Sequence, residues 1–205
     1  MNLTYLTQLP VIHATGEHLG RVEDAILDLE NGCVAYWRTS LGSRLRAVPL
    51  LITARRVAAS DEAMTVHMNL DDLNAACEEA ESATRHVDPA QLPVTLPLAG
   101  PLGHAGLSPI AFGFGRRTSV DMPEGAPPSW IWGRDVLDKP LFTLRGELGR
   151  ISDVEIDTAA NSLTRVLVKG SHGETSFVEA SALRHVPEER THFVASSRPS
   201  PQMSA

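Results

Sequence analysis

Carboxylates and histidines are the side chains of this sequence best placed to do chemistry. Four aspartates fall in two matched pairs, Asp24 with Asp28 and Asp153 with Asp157. Strand residues an even number apart share a face, and two carboxylates on one face can act as acid and base if a pocket splits their pKa values. Each pair also stands beside Gly or Asn, where a carboxylate readily accepts turn amides, so the expected role is structural. The eight histidines, His13, His18, His67, His86, His104, His172, His185 and His192, never fall in the compact spacing of a zinc site. No metal and no cofactor is expected. Ser171-His172, and Ser119 with Asp121, lack a nucleophile elbow. Gly113-Phe114-Gly115 before Arg116-Arg117 is half a phosphate loop without its strand and helix. The chain reads as non-enzymatic, with no catalytic residue.

Aromatic side chains are the stronger candidates for binding. Trp130 and Trp132 share one side of a short extended segment, Phe112 and Phe114 sit in an apolar island at 110–114, and Tyr36-Trp37 lies in a β-rich run. Tryptophan buries a large area at low entropic cost and concentrates at interfaces. Trp37 is expected in a core. Trp130 and Trp132 are expected either to clamp two parts of the chain together or to meet a partner, alongside Phe112 and Phe114.

The elements that position these residues come in two copies. Gly16-Glu17-His18-Leu19-Gly20-Arg21-Val22-Glu23-Asp24, ending at Asp28, returns as Gly146-Glu147-Leu148-Gly149-Arg150-Ile151-Ser152-Asp153, ending at Asp157. Each copy predicts a tight Gly turn and then a strand of alternating apolar residues. In the first copy, a strand at 9–12 precedes it, Asn31-Gly32 makes a hairpin, and strands are expected at 33–39 and 45–52, with a hairpin of 55–58 and 64–68. In the second, strands are expected at 136–142, 148–157, 163–169, 177–186 and 192–195. Such meanders of short strands suit small closed barrels. Between them, 69–86 changes to helical period, with Asn69 as cap and Asp71 and Asp72 in the first turn. Its Glu78, Glu79 and Glu81 are expected on a solvated face. Residues 88–129 lose all period and gather Pro89, Pro93, Pro97, Pro101, Pro109, Pro123, Pro127 and Pro128, the mark of a semi-rigid connector.

The fold class expected is therefore mainly β: two small barrels in tandem, 1–87 with its helix and 130–195, a connector at 88–129 and a disordered tail at 196–205. The net charge of −7 lies mostly in residues 1–88, where thirteen Asp and Glu face seven Lys and Arg. That balance offers no footprint for a phosphate backbone, so direct nucleic-acid binding is not expected. Cys33 and Cys77 form no CxxC pair and read as buried thiols of a reducing compartment. Residues 1–10 carry neither a basic nor an apolar leader segment, and no apolar run reaches the roughly 20 residues that span a bilayer. A cytoplasmic location is expected, with any membrane contact through a partner.

The repeated pattern resembles the PRC-barrel family. It is carried by Gly16, Leu19, Gly20, Asp24 and Asp28, and again by Gly146, Leu148, Gly149, Asp153 and Asp157. That family includes the cytoplasmic domain of the photosynthetic reaction centre H subunit and the carboxy-terminal half of a ribosome maturation factor. This sequence departs from both: residues 1–10 supply no membrane helix, and a second barrel replaces the factor's separate amino-terminal domain. The resemblance implies a protein-binding scaffold or assembly module, docking on a membrane-associated complex from the cytoplasmic side and able to form homo-oligomers. The alternative is a small-molecule or metal sensor with its ligand between the barrels.

Overall fold

A computed structural model of the chain describes residues 1–42, 47–85, 122–123, 125–185, 192–196 and 200–201. Phe112, Phe114, nearly all of the Pro-rich connector and most of the tail lie outside the described residues.

The chain is mainly β, in barrel-like curls. The first module opens with the short helix α1 (Leu3–Leu6), followed by β1 (Pro10–His13), β2 (His18–Asp28), β3 (Cys33–Leu41), β4 (Val48–Thr53), β5 (Val57–Ala59) and β6 (Met64–Val66). Strands pair in the order β4, β3, β2, β1, β6, β5, with β1 and β6 parallel and the rest antiparallel. Helix α2 (Leu70–Arg85) then packs on β4, burying Leu73. Its amino end is closed by Asn69, whose side chain accepts the Asp71 amide at 3.1 Å.

The second module repeats this plan. After β7 (Trp130–Trp132) and α3 (Gly133–Val136) come β8 (Pro140–Thr143), β9 (Gly146–Asp157), β10 (Ser162–Lys169), β11 (Thr175–Glu179), β12 (Leu183–His185), β13 (Phe193–Ala195) and β14 (Ser200–Pro201). The order β11, β10, β9, β8, β13, β12 mirrors the first, again with a single parallel pair, β8 with β13. Irregularities of register coincide too: Glu23 and Ser152 are each skipped in pairing, as are Ala35 and Thr164. Bulges tighten the twist, so each meander curls into a half-barrel. β10 touches β3 at Cys33 and Ser162, joining everything into one 14-stranded sheet among the described residues.

Several local readings need correction. A strand over 136–142 is replaced by the last residue of α3, a turn at Asp138 with φ of 61°, and β8. A single strand over 177–186 is broken by the one-turn 3-10 helix Ala180–Ala182, as the hairpin strand at 55–58 is by Ala54–Arg56. In both places a buried Ala, 54 or 180, turns the chain inward at the corner of the curl. Cys33 and Cys77 are each half-buried rather than fully buried.

Candidate functional site

The two modules meet along a seam built by reciprocal exchange. Residues ahead of the first module lie on the second: the Met1 amine donates to the Ile156 carbonyl at 2.7 Å, the Ile156 amide donates back to Met1 at 2.7 Å, and Asn2 bridges Glu155. Residues ahead of the second module lie on the first: Trp130, Ile131 and Trp132 pair antiparallel with Asp28, Leu27 and Ile26. Aligning Gly16 with Gly146, and Gly20 with Gly149, makes Met1 and Asn2 on Ile156 and Glu155 equivalent to Ile131 and Trp132 on Leu27 and Ile26.

The motif aspartates hold the exchange in place. Asp153 Oδ1 accepts the amide of Thr4 in α1 at 3.2 Å, and Asp24 Oδ1 accepts the amide of Arg134 in α3 at 3.2 Å. Each oxygen also accepts the next amide of its own strand, Val154 or Ala25, at 2.8 Å. Each module thus closes the leading helix of the other, satisfying donors that a helix start leaves open. Cys33 stands opposite Ser162 at equivalent positions, flanked by Val34 N–H to Asn161 O at 2.9 Å and Leu163 N–H to Gly32 O at 2.8 Å. A second equivalent pair also meets: Leu3 packs on Gly133, where an added Cβ would lie 2.7 Å from Leu3 Cδ2. Equivalent residues meeting one another mark a two-fold, isologous interface.

Chemically, the seam is lopsided. Asp28 accepts the Glu30 and Asn31 amides at 3.1 Å each, the Asn31 side chain at 2.7 Å, the Ser129 hydroxyl at 3.2 Å and the Trp130 indole N–H at 3.1 Å. Its counterpart Asp157 is exposed and accepts only the Ala159 and Ala160 amides. Trp130 packs against Tyr36 with centroids 5.5 Å apart. Trp132 is 7% exposed, with the guanidinium carbons of Arg134 and Arg38 lying 5.4 and 5.8 Å from its ring centroid. Arg38 pairs with Glu23 at 3.3 Å and Arg134 with Asp24 at 3.5 Å. The equivalent places in the second module hold Asn2 for Trp132, Thr4 for Arg134, Leu167 for Arg38 and Ser152 for Glu23.

The two first-module carboxyls are shifted in opposite directions, although burial pushes both upward. Asp24 is 3% exposed. Burial pushes its carboxyl above the ordinary value, against the pull of the Ala25 and Arg134 amides and the Arg134 charge. Burial would raise Asp28 too, but the Asn31, Trp130 and Ser129 donors outweigh it and hold this carboxyl below the ordinary value. Asp28 therefore stabilises the fold above about pH 3.9 and loses that contribution as pH falls through its lowered value. Asp24 has the opposite sign: its folded form keeps the proton longer than the unfolded chain, so its contribution is greatest in acid and declines as pH rises through its raised value. Asp28→Ala is expected to cost about 2–3 kcal/mol at pH 7, because charged hydrogen bonds are lost and their donors stranded. Urea unfolding at pH 7 and pH 3 should show that deficit shrinking in acid; a deficit that stays constant would refute the account.

Three clefts border these residues. One of about 480 Å³ is lined by Thr7, Gln8, Arg21, Glu23, Arg38 and Arg134, with Asp24 at its wall. A second, of about 630 Å³ and lying between the modules, is lined by Asn31, Ser129, Leu163, Ser181 and Arg184. The third, about 470 Å³, lies along Gly149 and Arg150 beside Lys169 and Ser171. No group of three ligating His, Cys, Asp or Glu side chains occurs among the described residues. His13 donates from Nε2 to the Met68 carbonyl at 2.9 Å while its Nδ1 accepts the Thr15 amide at 3.2 Å.

Of the sequence candidates, Trp130 and Trp132 thus come together with Asp24 and Asp28, and both indoles are engaged in the seam. The exposed large apolar side chains among the described residues are instead Tyr5 on α1 and Leu144 in the β8–β9 turn. Gly16, Gly20, Gly146 and Gly149 shape the turn and bulge of each leading hairpin, and Leu19 and Leu148 pack on the core. Sequence reasoning missed α1, Arg38 and Arg134; the cue available was Arg134 standing in register with Thr4. Among the described residues, no helix is long and apolar enough to cross a membrane. No curated protein matches the chain. The finding that names a family is confined to the first module: residues 1–68, from α1 through β6, match the family model of the PRC-barrel domain.

Proposed function

We propose that the chain is a non-enzymatic protein-binding module of the assembly type, in which residues 130–195 form a second PRC-type barrel beside that of residues 1–87, and 88–129 connect them. The kinship with reaction-centre H subunits and ribosome maturation factors belongs to this reading, as does docking on a membrane-associated complex from the cytoplasmic side. The PRC-barrel match supports a role in protein interaction. One observation carries the reading further: the charged set Glu23, Arg38 and Arg134 beside the first-module cleft has no counterpart in the second module, where Ser152, Leu167 and Thr4 build the same fold. A fold that closes without those charges has no need of them for folding. Arg134 and Glu23, with Arg21 and with Arg38 buried behind them, give one face of the molecule a polar surface of mixed sign, suited to register and select a protein partner.

The test is affinity capture from the native cell, with membrane and soluble fractions kept apart, using the intact chain and an Arg21→Glu/Arg134→Thr variant. Both side chains are more than half exposed, and threonine is what the second module carries in place of Arg134. The expected result is a protein held stoichiometrically by the intact chain and lost by the folded variant. Identical protein sets from both would sink the assignment of the face.

A second reading, a small ligand between the modules, is favoured by the cleft of about 630 Å³ with Arg184, Ser181 and Ser129 on its walls. Native mass spectrometry of the purified chain separates the two: a small molecule that travels with the protein and is lost on Arg184→Ala, with no protein captured, would replace the first reading.

A further inference from the structure

We propose that the seam also assembles two copies of this chain by exchange of modules, the first module of each copy seating against the second module of the other. Every seam contact described above is made by residues 1–38 or by residues 129–167. Between Arg85 and Trp130 lie 44 residues, long enough at full stretch to reach roughly 150 Å. A tether of that length permits the seam within one chain without excluding it between chains. Tethering raises the local concentration of the partner module to roughly the millimolar range and less as the tether lengthens. Exchange therefore becomes competitive as the chain concentration approaches that range.

The chemistry of the seam fixes which modules can meet. Two first modules would bring Leu3 against Leu3, where the existing fit is leucine into the space left by Gly133. Two second modules would bring Gly133 against Gly133 and leave a void. Trp132 finds Arg38 only on a first module, since Leu167 occupies that place in the second. Only unlike modules fit, so the partner for an opened chain is one whole second copy. Two copies satisfy both seams and close with two-fold symmetry.

Cys33 and Ser162 face each other as a pair whose own amides do not bond one another, the bonds running through Val34 and Leu163. Such antiparallel pairs bring Cα atoms to about 4.5 Å, within the range a disulfide tolerates. Ser162→Cys in a Cys77→Ser background therefore reports which chain supplies each side. After refolding at roughly micromolar concentration and mild oxidation, the disulfide should form within one chain. After refolding near about millimolar concentration, a reducible species of twice the mass should appear, with Cys33 of one copy joined to residue 162 of the other. Adding Gly133→Leu should diminish both products together. A chain that stays monomeric at every concentration with its internal disulfide formed would overturn the proposal. So would a dimer lacking the interchain link, or one indifferent to Gly133→Leu.

Discussion

Trp132→Ala is expected to cost about 3–5 kcal/mol, the range for emptying a buried tryptophan site, while Asn2→Ala at the equivalent register position costs less than about 0.5 kcal/mol. Both residues lie where one module's leading segment crosses the other's long strand, Trp132 opposite Ile26 and Asn2 opposite Glu155. Trp132 fills that place with a buried ring beside two guanidinium groups; Asn2 leaves it exposed. Truncating the tryptophan opens a cavity that the paired backbones of β2 and β7 cannot collapse into, and it removes the surface on which Arg38 and Arg134 rest. Truncating the asparagine removes an exposed side chain. Urea unfolding of the two variants followed by circular dichroism provides the comparison. Equal costs would show that the seam draws its stability from backbone pairing alone.

Gly149→Ala is expected to cost about 3 kcal/mol or more, and Gly146→Ala about 1–2 kcal/mol, although the two glycines belong to one motif. A Cβ at Gly149 would run into the Lys169 carbonyl oxygen and stand 2.8 Å from Gly170 Cα, all of it backbone at the end of β10. Relieving that collision means parting Arg150 from Lys169, the pair that begins the β9–β10 ladder. Gly146 has nothing within 4 Å, so its penalty is the φ of 115° alone. Gly20 and Gly16 repeat the contrast against Ser40 and Leu41. Thermal unfolding of the four alanine variants ranks them, and a Gly146→Ala cost matching that of Gly149→Ala would show that backbone conformation, not space, selects glycine here.

The legible part of this architecture was its local part. Asn31-Gly32 marked the hairpin because Gly32 takes a φ of 61°, and Asn69 marked the start of α2 because its side chain caps the helix. The duplicated motif marked β2 and β9 as like strands, since alternating apolar residues after Gly16 and Gly146 carry the signal of a strand at short range. Helices α1 and α3 escaped because four residues make barely one turn, too little for helical periodicity to register. The role of Asp24 and Asp153 was half legible. Their taste for amides was foreseeable from residue type, but which amides they take depends on segments more than a hundred residues away. Trp130 and Trp132 precede the second motif in sequence, yet they pair with β2 of the first module, a long-range contact that no local pattern announces. Arg38 gave no warning, since an isolated charge in a strand reads as surface until Trp132 is placed beside it; for Arg134 the register with Thr4 was the one cue.

The exchange of leading segments also sets a clock on synthesis. Met1, Asn2 and Thr4 find their partners on residues 153–156, a separation of 155 positions for the Met1–Ile156 bond. At the 5–20 residues per second of translation, the segment waits about 8–30 s before that binding strand exists. During that interval the nascent first module lacks both its own helix's resting place and the Trp130–Trp132 strand that covers β2. A chain cut short before residue 130 would never complete that surface, so the finish of the first module waits on the synthesis of the second.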